Sequence, residues 1–331
     1  MAQEPYTVSI LVPVYGVEKY IERCARSIFE QTYHDLDIVF VDDCTPDKSI
    51  EIIKRVLDDY PERKAQTRII RHAHNRGLSA ARNTAVAAAT GTFLTHVDSD
   101  DWIELNAVEE LVKKQIETEA EIVTADFTIW KKDGKESFVW PDMDKDEYLK
   151  ALLTNSCKSY IWGRLIKRAL YIDNGISTKE GCNFQEDWQV LPRLAYNSLS
   201  IYLVHRQLYN YNLMNEHSFS ADFVRMTGER YTRIIKQSVE SFYVLKSFFS
   251  DKTLYTQVVY DYEPKFLVQY MVNASKCSNK VLFKYLKCCF GKLDNHQRAM
   301  VNMGGRLSYA LKTNYRYWRL LYWILDKLHK R

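Results

Sequence analysis

The chain has 331 residues, 46% of them hydrophobic and 27% charged, which excludes a disordered chain, a collagen and a small disulfide scaffold. Net charge is only +4, yet residues 223–331 carry 20 Lys+Arg against 7 Asp+Glu, while the remainder carries 26 against 35. A slightly acidic body with a basic C-terminal region implies an anionic partner surface at that end.

In chain order, short β-branched runs alternate with helical patterns. Val8–Val14 reads as a buried strand, Glu18–Gln31 as an amphipathic helix, Leu36–Val41 as a second strand and Pro46–Asp59 as a second helix. Thr67–Ile70 is a third strand, and Leu78–Ala89, rich in alanine, a third helix, because Ala loses no side-chain entropy there. Gly91–Val97 is a fourth strand, followed by a helix over Glu104–Glu117. Further on, Glu121–Ala125 predicts a strand, and Phe127–Trp130 with Ser137–Trp140 a hairpin turned at Lys132-Asp-Gly134. Helices are expected near 144–153, 163–170 and 185–197, then strands near 200–204 and 208–212. Beyond about 222 the texture changes to long helical stretches rich in Lys, Tyr and Phe.

Such strand–helix alternation with short connections implies an α/β fold with a mostly parallel sheet covered on both faces. Ligands of these sheets bind beyond the carboxyl ends of the strands. Those positions hold Tyr15 after Pro13-Val14, then Asp42-Asp43, then His74-Asn75, then Asp98-Ser99-Asp100-Asp101. Three carboxylates in four residues repel one another unless a cation lies between them. Mg²⁺ or Mn²⁺ takes oxygen ligands and commonly shares them between one or two carboxylates and substrate phosphates. An acidic turn capping the next helix is the plainer alternative. Neither G-x-G-x-x-G nor G-x-x-x-x-G-K-[ST] occurs, which argues against a dehydrogenase or a P-loop NTPase. The seven cysteines are odd in number and contain no C-x-x-C pair, so free thiols in a reducing cytoplasm are expected and a zinc site is not. No stretch reaches the ~20 apolar residues that span a bilayer, and Met1-Ala-Gln-Glu-Pro5 has no signal-peptide character.

Val12-Pro13-Val14-Tyr15, Ser27–Tyr33, Val41-Asp42-Asp43, Asn75–Asn83, Gly91 and Asp98–Asp101 stand in an order and spacing that closely resembles family 2 glycosyltransferases over residues 7–102. The likeness continues more loosely to about residue 220. It implies a GT-A fold: a Rossmann-like, mostly parallel mixed sheet flanked by helices, here with an α-helical C-terminal extension. Residues 1–222 would form the glycosyltransferase domain, with a nucleotide-sugar-binding half over 1–102 and an acceptor-binding half over 103–222, and 223–331 the extension.

The resemblance implies that Pro13, Tyr15, Asp42 and Asp43 bind the nucleotide-sugar, with Tyr15 and Asp43 contacting the nucleobase. Asn75, Gly77 and Arg82 would line the nucleotide-sugar pocket, and Asp98, Ser99 and Asp100 match the DXD motif. Asp98, Asp100 and Asp101 would hold Mn²⁺ or Mg²⁺ on the diphosphate. Glu186-Asp187 match the family's acidic pair, with Asp187 the catalytic base and Glu186 its partner. A carboxylate there can take the proton of an attacking hydroxyl, and direct displacement inverts the anomeric centre. Trp162, Trp188 and His217 are the acceptor-side candidates. Asn212 stands where a basic residue is common, which leaves the diphosphate contact to His217 or Ser218.

The expected activity is transfer of a hexose-type sugar, from a UDP-sugar, to a glycan or lipid-linked glycan in surface-polysaccharide assembly. The competing readings are a non-catalytic nucleotide-sugar-binding scaffold and a nucleotidyltransferase. The latter usually needs a Gly-rich, basic loop after the first strand, and Tyr15-Gly-Val-Glu-Lys19 has one glycine. Within 305–331, Lys312, Arg316, Arg319, Lys327, Lys330 and Arg331 interleave with Trp318 and Trp323 around an apolar helical repeat. That pattern suits peripheral contact with an anionic membrane, on the inner face of a cytoplasmic enzyme, or a helix docked on the protein. No nucleic-acid motif is present, so nucleic acid is not an expected partner.

Overall fold

The β-branched runs become the middle of a nine-stranded sheet. A computed structural model describes residues 6–215, 218, 223 and 226–301. His217 and the basic segment 305–331 lie outside the described residues. The chain divides into two compact units, one within 1–221 and one within 222–331.

In the first unit the strands are β1 (Val8–Val14), β2 (Leu36–Asp42), β3 (Thr67–Arg71), β4 (Phe93–His96), β5 (Trp102–Ile103), β6 (Ile122–Lys131), β7 (Gly134–Phe138), β8 (Arg164–Lys167) and β9 (Ile201–Asn212). Their order is β3-β2-β1-β4-β8-β6-β9-β5, with β7 paired to β6. The β3-β2-β1-β4 half is parallel, β8 runs antiparallel between β4 and β6, and β6 pairs β9 in parallel. The helices are α1 (Ile21–Phe29), α2 (Ser49–Leu57), α3 (Leu78–Ala88), α4 (Ala107–Thr118), α5 (Lys145–Leu153), α6 (Arg168–Ile172) and α7 (Glu186–Asn197).

Every residue of β1 and β2 is buried, as strands covered on both faces require. Val8, Ile10, Val12 and Val14, alternating along β1, join one core with Ile21, Ala25 and Ile28 of α1 and Ile53 and Val56 of α2. Burying one such side chain contributes about 1.5–3 kcal/mol, so this face fixes the register that aims the ends of β1, β2 and β4 to one side.

Three local expectations change. The helix expected over 163–170 is β8 followed by the short α6, because Arg164–Lys167 is captured between β4 and β6. The 121–125 and 127–130 runs are one strand, and so are 200–204 and 208–212; both are carried through a register shift near Asp126. Trp102–Ile103, directly after the acidic turn, pairs antiparallel with Tyr209–Asn210, and its two residues were too short a signal to read.

The second unit contains the helices Gly228–Phe248, Leu254–Lys276, Lys280–Gly291 and Asn295–Met300. Its core includes Ile235, Val239, Phe242, Leu267, Met271 and Leu286. Among the described residues no helix is long and apolar enough to cross a membrane.

Candidate active site

Pro13 and Tyr15 mark the end of β1. Pro13 is buried beyond the last β1–β4 pair, Leu11↔His96, and Tyr15 is 50% exposed. At the end of β2, Asp42 accepts the Thr45 N–H at 2.8 Å. Buried Asp43 accepts the N–H groups of Arg76 (2.8 Å) and Gly77 (2.7 Å) and meets His72 Nδ1 at 2.7 Å. About four acceptor positions exist on a carboxylate, and Asp43 spends three of them holding the 72–77 loop, and with it Asn75, against the sheet. His72 was missed from sequence; it follows β3 directly, and only its pairing with Asp43 marks it.

Gly77 has φ +89° and precedes α3. A Cβ there would lie 2.3 Å from Asn183 Nδ2, so only glycine fits. Asn183 Oδ1 accepts the Ser79 N–H at 3.0 Å, and Ser79 Oγ donates to the Cys182 carbonyl. Asn83 and Thr178 exchange hydrogen bonds at 2.9 Å, and Arg76 pairs with Glu180 at 2.7 Å. These contacts lash residues 178–183 onto the first turns of α3 and carry the start of α7 to the end of β4. Asn183 was not legible in sequence, because an isolated Asn in a loop has no pattern.

Arg82, on α3, is where three carboxyl groups meet. Buried to 4% exposure, it donates from Nη2 to Asp98 (2.9 Å) and from Nε to Glu186 (3.3 Å), and its Nε lies 3.5 Å from Asp187 Oδ1. Residues from α3, the β4 turn and α7 therefore converge on one guanidinium. Three carboxylates crowded on one guanidinium repel one another, which favours retention of a proton by the most buried of them. Burial and the neighbouring Asp187 push the Glu186 carboxyl upward, which makes it the holder. Protonated Glu186 can donate to Asp187. Burial also raises Asp187, opposed by Arg82, by the Ile161 N–H at 3.2 Å and by Glu186. The other oxygen, Asp187 Oδ1, has no hydrogen-bond partner.

The acidic turn splits by role. Asp98 is part-exposed, 27% for its side chain, and its N–H donates to Tyr209 Oη at 3.0 Å. Ser99 is buried. Asp100 Oδ2 accepts from Asn215 Nδ2 at 2.8 Å, and burial together with Asp98 pushes its carboxyl up to about 6. Asp101 departs from the metal-ligand expectation. It is 1% exposed, with Oδ2 taken by Tyr209 Oη (2.7 Å) and Oδ1 by the Asn212 N–H (2.7 Å). Its carboxylate pins β9 to the turn instead of facing a cation. Tyr209, which braces both Asp98 and Asp101, lies in a segment whose pattern was visible while its pairing was not.

Among the described residues no three His, Cys, Asp or Glu side chains form a ready-made metal cage. Asp98 and Asp100 nevertheless fit a divalent ion. They are neighbouring carboxylates, one raised by burial and by the other to about 6, and such a pair is relieved by a cation whose other ligands come from phosphate.

Two acceptor-side candidates are corrected. Trp162 is 3% exposed, with both faces covered by Tyr160 (4.5 Å, 14°) and Tyr209 (4.2 Å, 10°), so no sugar can stack on it. Trp188 is fully buried and its Nε1 donates to the Leu152 carbonyl at 2.6 Å. Both indoles are packing, which the aromatic-before-glycine and acidic-pair contexts could not reveal.

A parallel β3-β2-β1-β4 half joined to a mixed half, with acidic residues after β2 and β4, defines a GT-A glycosyltransferase fold. The S. aureus TarS 1–349 structure in complex with UDP-GlcNAc superposes with TM-score 0.71 at 16% identity, over 95% of this chain and 89% of that one. The mannosyltransferase PcManGT from Pyrobaculum calidifontis, in complex with GDP-Man and Mn²⁺, gives TM-score 0.54 at 16% identity, over 95% and 83%. Residues 9–175 match the model for Glycosyl transferase family 2, and the chain belongs to that family. It is 35% identical over 189 residues to the uncharacterized glycosyltransferase EpsJ of Bacillus subtilis (strain 168), covering 54% of this chain and 53% of that protein. The chain thus spans about half the length of that relative.

Proposed function

We propose that the protein is an inverting glycosyltransferase that moves a sugar from a nucleotide-sugar, a UDP-sugar, to a glycan or lipid-linked glycan in surface-polysaccharide biosynthesis. The observation that carries this is the meeting of Asp98, Glu186 and Asp187 on buried Arg82, beside Asp100. That arrangement sets a donor-side acidic turn next to a carboxylate whose Oδ1 accepts no hydrogen bond among the described residues and pairs with Arg82 Nε at 3.5 Å. The UDP-GlcNAc in TarS supports the UDP-sugar assignment, and the Mn²⁺ in PcManGT supports the metal.

Asp98 and Asp100 would hold a divalent ion, Mn²⁺ or Mg²⁺, which supplies Lewis-acid neutralisation of the diphosphate. Tyr15 presents an exposed ring at the end of β1 for the nucleobase. Asp43 fixes the loop that bears Asn75 and Gly77 beneath the donor. Asp187 Oδ1 takes the proton of the acceptor hydroxyl as that oxygen attacks the anomeric carbon. The Ile161 N–H holds the other oxygen, Oδ2, while Arg82 Nε, 3.5 Å from Oδ1 itself, favours the ionised carboxylate, and Glu186 holds its own proton. A single displacement of this kind inverts the centre. The basic segment 305–331 is proposed, on its sequence, to bring the enzyme to an anionic membrane surface; loss of vesicle flotation on truncation of 305–331 is the check.

The test is a panel of nucleotide-sugars with Mn²⁺ or Mg²⁺, following release of nucleoside diphosphate. Asp100→Ala should abolish metal-dependent UDP binding. Asp187→Asn should keep UDP binding and lose transfer by about 10²–10⁴-fold. Wild-type transfer rates in both variants, release of pyrophosphate, or UDP binding without turnover would each reject the assignment.

A further inference from the structure

In this chain Asn212 stands at the end of β9, and its side chain is spent on the fold: Nδ2 donates to the Asp100 carbonyl at 3.0 Å, and its N–H goes to Asp101. Three arginines near the strand ends are also committed. Arg82 is shared among three carboxyl groups, Arg76 is paired with Glu180, and Arg71 lies 3.4 Å from Asp42. A diphosphate placed here would bring more negative charge to a turn already crowded with aspartates.

Arg23, on the first turn of α1, is different. Its guanidinium carbon lies 3.3 Å from the centroid of the Trp102 ring. Trp102 directly follows Asp101 and is itself backed by Trp130, with ring centroids 5.2 Å apart. The side chain is exposed, and among the described residues no hydrogen bond or ion pair occupies it. The helix that carries it is tied to the acidic turn, with Cys24 Sγ 3.7 Å from the Asp98 carbonyl and Ser27 Oγ accepting the Ile103 N–H at 3.3 Å. Stacking on an indole face orients a guanidinium while leaving its N–H edge free, and much of the ordering cost of a flexible side chain is then met before any ligand arrives. That edge is the part that grips phosphate oxygens two at a time.

We propose that Arg23, clamped flat on Trp102, is a cationic contact to the diphosphate of the donor, serving where Asn212 at the end of β9 supplies no charge. This rests on the nucleotide-sugar reading above. It assigns α1 as an element that recognises the pyrophosphate. The plainer rival is that Arg23 only screens Asp100 and Asp101.

The test is calorimetric titration of the full chain, with saturating Mg²⁺ or Mn²⁺, using uridine, UMP and UDP as probes on wild type, Arg23→Gln, Arg23→Lys and Trp102→Leu. Arg23→Gln should weaken UDP binding about 10- to 100-fold, the effect of one lost charge-assisted contact, and leave uridine within twofold. Arg23→Lys, which keeps charge without the planar fork, should fall between. Trp102→Leu should reproduce part of the UDP loss with Arg23 intact. Equal changes for UDP and uridine, or unchanged UDP binding with tighter Mn²⁺ binding in Arg23→Gln, would overturn the proposal in favour of screening. Absence of metal-dependent UDP binding in the wild type would overturn the nucleotide-sugar reading itself, a different result from a wild type that binds UDP and an Arg23→Gln variant that binds it equally well.

Discussion

Replacing Arg82 by Met keeps length and apolar bulk and deletes the charge on which Asp98, Glu186 and Asp187 converge. Arg82 and Asp98 have side-chain exposures of 5% and 27%, and their contact is 2.9 Å. Removing one partner of a buried pair costs about 3–5 kcal/mol, because the other is left charged and uncompensated. The low end applies here, since burial and Asp187 shift Glu186 toward its neutral form and Asp98 is partly solvated. A loss of about 3 kcal/mol in a unit of this size corresponds to a Tm drop of roughly 6–12 °C. Asp98→Asn alone should cost less, because Arg82 keeps Glu186 and Asp187. In the double variant the orphaned Asp98 charge is gone, so the two losses should fall short of additivity by at least about 1 kcal/mol. Scanning calorimetry of the four proteins closes the cycle. Additivity within about 0.5 kcal/mol, or an Arg82→Met transition within 2–4 °C of wild type, equivalent to about 1 kcal/mol, would refute Arg82 as the organising charge.

Gly77→Ala should displace Asn183 and the 178–183 strap, since its Cβ would sit 2.3 Å from Asn183 Nδ2 at φ +89°; the expected loss exceeds about 1 kcal/mol, and an unchanged Tm and transfer rate would contradict it. Tyr209→Phe leaves Asp101 Oδ2 without its donor and the Asp98 N–H without its acceptor, so about 1–3 kcal/mol of stability should disappear, measurable by urea unfolding with an unchanged m-value. The acid limb of the transfer rate should lie above the ordinary Asp range, because burial raises Asp187 and the base is active only when ionised. Glu186→Ala, which removes a donor to that carboxylate, should move the limb higher still, whereas Glu186→Gln should hold it; identical limbs for the two variants would exclude the proton-holding role. Asp100, raised to about 6, must lose its proton to bind a cation, so metal-dependent UDP affinity should fall by up to tenfold per pH unit below about 6 and be level above it.

Sequence alone determined the parallel half of the sheet, because fully buried strands leave continuous β-branched runs such as Val8–Val14 and Leu36–Val41, and helices leave a 3.6-residue period. It also located the acidic turn, where three carboxylates cluster at a strand end, whereas the Glu186-Asp187 pair, at the start of α7, was found through the family resemblance. Tertiary structure alone decided what each of those carboxylates faces. Asp101 looks like Asp100 in the chain, yet the β5–β9 pairing buries the first against Tyr209 and leaves the second beside Asp98. Trp162 reads equally as a sugar platform or as core, and Tyr160 and Tyr209, closing over both faces, decide for the core. Arg82 and Asp187, more than a hundred positions apart, meet only because Asn183 and Thr178 bind the start of α3. Periodicity is local, and a strand or helix announces it within a few residues; a contact across the sheet depends on register and strand order, which no short stretch of sequence contains.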